Sequence, residues 1–179
     1  PGWSKILKFW LWAVRTDFYS ALGAGCLAWA CMLLQEIPVS FSSIALASLF
    51  VYAMHVLNRL MSSKHSELIG SFREKSYLRH KRIYFLAAMI SLMIALLLSF
   101  SHSPLSFGVL FFMSLAGGLY NMKILPYGWR FQRLKDIPGS KNFSTAMAWG
   151  MVTAVLPALN DPRYFNTKMA VAFVFTFVL

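Results

Sequence analysis

Lys75, Arg79 and Arg82 fall at steps of four and three, which places them on one face of any helix formed there. Three cations so arranged can grip a phosphate through charge-assisted hydrogen bonds. The same residues also suit headgroup-level anchoring and topology. Asn58 stands where an apolar run gives way to polar chain, placed to cap its helix, to bind a head group, or both. His55, three residues earlier, is an ionisable group within that apolar run. Such a position marks a functional candidate and equally suits a hydrogen bond to a neighbouring helix. Tyr120 and Asn121 close another apolar run and are placed to line a cavity mouth, while Trp149 reads as packing or as a wall on the acceptor side. His65, His80 and His102 lie in polar flanks and read as solvated. Cys26 and Cys31 are five apart, on opposite sides of a helix, and read as buried small hydrophobes, not as a disulfide or metal pair. No Met-x-x-Met cluster stands near a histidine, which argues against a copper site.

The elements that must position these groups are apolar. Only 13% of the 179 residues are charged and 58% are hydrophobic, against about a quarter charged in soluble domains. That composition predicts an integral membrane protein. The net charge of +11 does not indicate a nucleic-acid partner, because the basic residues gather in the gaps between apolar runs. Residues 1–16 read as an interfacial amphipathic lead, with Trp3, Ile6, Leu7, Trp10 and Val14 near one face. Residues 17–179 read as a transmembrane bundle with five full spans (18–37, 41–57, 83–100, 105–120, 142–159) and the start of a sixth at 168–179. Ala21, Gly23, Ala24, Gly25 and Ala28 offer a small-residue surface for close helix contact, and Pro157 predicts a kink. The lead carries three Lys/Arg, the second loop seven and the fourth five (Lys123, Arg130, Arg133, Lys135, Lys141), against two in the remaining loops. This asymmetry places the N-terminus and the even-numbered loops in the cytoplasm. The chain opens on Pro1 and its last apolar run is too short to cross, so a longer molecule is expected. With no acidic or basic residue in mid-span, a transporter or channel has little support.

Two stretches carry a family resemblance. "YAMHVLNRLMSSKHSE" (52–67) resembles the first motif of the UbiA-type intramembrane prenyltransferases, in which an Asn closing the second span is followed by Asp at steps of four. "LAGGLYNMKILPYGWRFQRLKDIPGSKNFSTAMAWG" (115–150) is similar to that family's fourth-loop block. Span count, orientation and loop placement agree. The resemblance implies an all-α, UbiA-like polytopic bundle around a cavity open to the cytoplasm, in a bacterial inner membrane. It implies a prenyl diphosphate held through Mg2+, with Lys123, Arg130, Arg133, Lys135 and Lys141 covering the diphosphate alongside Lys75 and Arg79. His55, Tyr120 and Asn121 would line the cavity.

This sequence departs from that pattern at the metal motif. Counted from Asn58, the two Asp positions fall on Ser62 and Ser66, whose neutral hydroxyls are poor ligands for Mg2+. Glu67 is one residue out of register, about 100° round a helix. Asn58 and Glu67 are then the residues left to serve catalysis, with Glu67 as the metal ligand. Two functions follow as expectations. One is transfer of a prenyl chain from an isoprenoid phosphate or diphosphate to an acceptor, with Mg2+ as cofactor. The other is a non-catalytic relative that holds membrane lipid, a quinone-like ligand or pigment, or that serves as a subunit of a larger membrane complex.

Overall fold

The structure, a computed structural model, describes residues 16–62, 80–122, 126 and 133–179. The expected lead over residues 1–15, and Ser66, Glu67, Lys75, Arg79, Lys123 and Arg130, lie outside the described residues. Every regular element among the described residues is helical, as the apolar runs predict. Helices α1 (Phe18–Leu34), α2 (Phe41–Ser62), α3 (Lys81–His102) and α4 (Pro104–Tyr120) are followed by a 3-10 turn, Leu134–Asp136. Helix α5 (Ser140–Gly150) runs through a π turn, Met151–Val155, into the short α6 (Leu156–Ala158), and α7 (Thr167–Val178) completes the order. Helix α2 packs on both α1 and α3, α3 on α4, and the α5–π segment on α1 and α7.

Among the described residues, two helices are long and apolar enough to cross a membrane. The more apolar, α3, reaches a mean hydropathy of 2.5, yet only 22% of that window is buried. A helix in the core of a soluble protein would hide such a face. Here Ile83, Leu86, Ile90, Leu97 and Phe100 point outward, an apolar face of the kind that marks a membrane or protein contact. The expectation of five full spans is not supported on length. Helices α1 and α4 have 17 residues each and α7 has 12, and the fifth run is interrupted by the π turn.

Small residues set the helix spacing. Ala21, Ala24, Gly25 and Ala28 are buried in α1, whereas Gly23 is exposed, outside the expected surface. A Cβ on Gly25 would sit 2.5 Å from Ser48 Oγ, so the α1–α2 approach requires glycine there. Cys31 is buried as expected, but Cys26 is exposed, because a residue five positions from a packed one faces away from the bundle. The expected kink at Pro157 takes another form. Proline has no N–H to give, and one turn earlier the ladder has already widened, with Leu156 N–H donating to Met151 O. Buried Gln35 at the end of α1 donates through Nε2 to Cys31 O and, across the bundle, to Ala154 O in that π turn, both at 3.1 Å.

Candidate functional site

The alternation of helices brings the start of α1, the end of α2, the end of α4 and the start of α5 to one end of the bundle. The basic fourth loop, with Arg133, Lys135 and Lys141, adjoins this end. There Asn121 Nδ2 donates to Asn58 Oδ1, joining the last turn of α2 to the C-cap of α4. The two residues singled out at separate span ends, 63 positions apart, are direct partners. Next to Asn121, the Tyr120 hydroxyl lies 3.1 Å from Ser140 Oγ, which donates to Leu134 O at 2.7 Å. Leu134 is flanked by Arg133 and Lys135. One hydrogen-bonded series therefore runs from Asn58 and Asn121 through the Tyr120 backbone and side chain to the basic fourth loop.

The loop concentrates positive charge at this point. Burial and the neighbouring Arg133 guanidinium push the Lys135 ammonium below its ordinary value, and Asp136 pulls the other way. An anion placed against Arg133 and Lys135 would relieve that repulsion. Lys141, one residue into α5, is exposed and stands on the first turn, where the N-terminal end of the helix adds to the positive potential. His55 meets the edge of Trp149, with ring centroids 6.4 Å apart and planes at 85°, so α2 and α5 face each other one turn below Asn58. Trp149 thus packs against His55, the packing role expected of it.

A third interaction at this end has a weaker sequence signal. Asp17, 2% exposed, receives Arg59 through two contacts of 2.7 Å, Nε to Oδ2 and Nη2 to Oδ1. The pair ties the start of α1 to the turn of α2 that carries Asn58. Asp17 is the N-cap of α1 but uses its carboxylate on Arg59, with no side-chain cap bond and a left-handed backbone, φ 58. The signal available was that Asp17 is the only acidic residue before Glu36.

A Mg2+ ion needs several oxygen ligands, preferably anionic. Among the described residues no three His, Cys, Asp or Glu converge. Asn58 Oδ1 faces Asn121 and both Asp17 oxygens face Arg59. The described residues therefore do not fit the ion. Ser62 is the last residue of α2, while Ser66 and Glu67, the other positions with a metal role, lie outside the described residues.

His102, expected to be solvated, is half-buried at the opposite end of the bundle. Ser42 Oγ lies 2.7 Å from its Nε2 and Asn160 3.3 Å from its Nδ1. The first turn of α2, the end of α3 and the turn after α6 converge there, which the order of residues along the chain does not reveal. Compared with protein-family models, with curated proteins and with solved structures, the chain finds no match.

Proposed function

We propose that this chain is a UbiA-like membrane protein that binds an isoprenoid phosphate or diphosphate at the cytoplasmic end of its bundle and presents the prenyl chain for transfer to an acceptor. The observation that carries the reading is the hydrogen-bonded series from Asn58 and Asn121 to Leu134. It ties the loop that carries Arg133 and Lys135 to the end of the bundle where α2 and α4 meet, which supports a phosphate bound to those cations with its apolar tail among the helices. The cations neutralise charge on a leaving diphosphate. The apolar walls keep water from the reacting carbon. In this reading the 17-residue α1 and α4 cross the bilayer as well, at the short end of the range for spanning helices. The N-terminus and even-numbered loops then face the cytoplasm of a bacterial inner membrane.

A second reading, a non-catalytic holder of lipid, quinone or pigment or an assembly subunit, is favoured by one observation. The oxygens that a metal would recruit at this end, on Asn58 and Asp17, are engaged by protein partners. One experiment separates the two. Binding of geranylgeranyl diphosphate to the full chain in detergent is measured with and without Mg2+, and pyrophosphate release is followed in parallel. Saturable binding that weakens about tenfold in Lys135→Ala supports the phosphate site, since a hydrogen bond to a charged group contributes about 1.5–3 kcal/mol. Release of pyrophosphate then assigns cleavage of the prenyl–oxygen bond, the step that transfer requires, and binding without release assigns the holder. Absence of saturable binding refutes the transfer reading and leaves the holder of another lipid, quinone or pigment, or the assembly subunit.

A further inference from the structure

The other end of the bundle carries a cluster that the isoprenoid reading leaves unused. Ser42 lies at the second position of α2, sixteen residues from Asn58, so the two ends are separated by about 24 Å of helix at 1.5 Å per residue. Its Oγ is 2.7 Å from His102 Nε2, and the opposite ring nitrogen, Nδ1, is 3.3 Å from the Asn160 amide. Ser40 Oγ, 2.7 Å from Ser42 Oγ, completes the hydroxyl's surroundings. Hydroxyl, imidazole and amide are thus collinear in role: nucleophile, base and the group that orients the base.

Three further features point to a ligand. Ser43, 4% exposed, has an Oγ with no hydrogen-bond partner. It shares a narrow cleft with His102, Ser106, Leu46, Val152 and Leu156. In the first turn of α2, Ser43 N donates to Ser40 Oγ at 3.4 Å and Ile44 N to Ser40 O at 3.1 Å, so the N–H groups of Phe41 and Ser42 are the donors left where an oxyanion would form. Phe41 and Leu105, 85% and 59% exposed, present apolar side chains at the same end of the bundle.

We propose that Ser42 and His102 cleave an acyl ester of a membrane lipid at the non-cytoplasmic face, with Asn160 as the positioning residue. Ser42 Oγ attacks the ester carbonyl while its proton passes to His102 Nε2. The tetrahedral oxyanion is met by the Phe41 and Ser42 N–H groups and by the spare Ser43 hydroxyl. The C–O bond to the alcohol then breaks, and His102 returns the proton to that leaving oxygen. Water repeats the sequence on the acyl-Ser42 ester, giving the free acid and regenerating the hydroxyl. As placed, Asn160 directs Nδ2 at the ring. Turned end for end, an exchange of atoms of nearly equal size, its Oδ1 accepts from Nδ1–H and leaves the Nε2 lone pair facing Ser42.

The test uses a fluorophosphonate probe on the full chain in detergent, with the labelled residue located by mass spectrometry. Ser42 is expected to carry the label. His102→Gln should slow labelling by about a hundredfold or more, the scale of general-base assistance. Asn160→Asp should speed it by about tenfold or more, because a carboxylate can only accept and so fixes the reactive tautomer. A cluster that merely holds three helix ends together predicts neither the label nor the gain. A chain unlabelled at Ser42 overturns the proposal. So does a labelling rate that His102→Gln leaves unchanged, or that Asn160→Asp lowers, in variants melting at the parent temperature. Should His102→Gln fail to fold, the position of the label and the Asn160→Asp response decide. Because the probe requires no isoprenoid, this outcome is independent of the phosphate-binding result.

Discussion

Removing the Arg59 side chain should destabilise the protein far more than neutralising its partner. In Arg59→Ala the Asp17 carboxylate, 2% exposed, loses a guanidinium that touches both of its oxygens at 2.7 Å. Breaking a buried pair from one side in this way costs about 3–5 kcal/mol, because a charge stays behind in a poorly solvated place. Asp17→Asn leaves the opposite residue, and Arg59 is 29% exposed, able to turn its head group toward water. That variant should cost about 1–2 kcal/mol, within the range of a lost charged hydrogen bond. Asn also tolerates the left-handed backbone at this position, φ 58, whereas Ala would add a conformational penalty of about 1–2 kcal/mol. The double variant should cost less than the two singles together by about 2 kcal/mol. The assay is reversible unfolding in mixed micelles at rising denaturing-detergent fraction, run on all four proteins. Equal costs for the two singles, or a coupling below about 0.5 kcal/mol, would refute the reasoning and make Asp17 a cap residue with an incidental neighbour.

Two other perturbations follow from the geometry. Gly25→Ala pushes a methyl group to 2.5 Å from Ser48 Oγ and should cost about 1–3 kcal/mol of stability, as overpacking does; the same unfolding assay should show most of that returned by a second change, Ser48→Gly. Lys135 gives a pH dependence with a definite sign. Its pKa in the folded chain is lowered, first by burial and then by Arg133, so the folded chain gives up this proton at a lower pH than the unfolded chain. Between the lowered value and the ordinary lysine value, the contribution of Lys135 to stability therefore rises with pH. Affinity for a phosphate-bearing ligand falls across the same window, and a titration of binding in Lys135→Arg should be flat there.

How much of this was legible in the residues depends on the range of the interaction. Helical runs and their polar gaps follow from local composition, since an apolar stretch in lipid must satisfy its backbone internally whatever its neighbours do. Asn58 and Asn121 were each visible as polar residues closing an apolar run, but their bond spans 63 positions and depends on how α2 and α4 align. Asp17 was hidden by its setting. Between Arg15 and Phe18 it reads as an ordinary residue before a span, and nothing local shows that a guanidinium 42 positions away occupies its carboxylate. His102 shows the same limit from the other side. The run Ser101-His102-Ser103-Pro104 has the composition of a solvated turn, and the α4 start is built as such: Ser103 Oγ accepts from Ser106 N at 3.0 Å. Yet the imidazole itself is held by Ser42 and Asn160, each about sixty positions away. Both cases involve a polar side chain at a helix end. There the chain alone offers water as the default partner, and only the packing of antiparallel neighbours supplies another. For the same reason the helix ends, rather than the apolar interiors, are where substitutions should separate the functions proposed for the two faces.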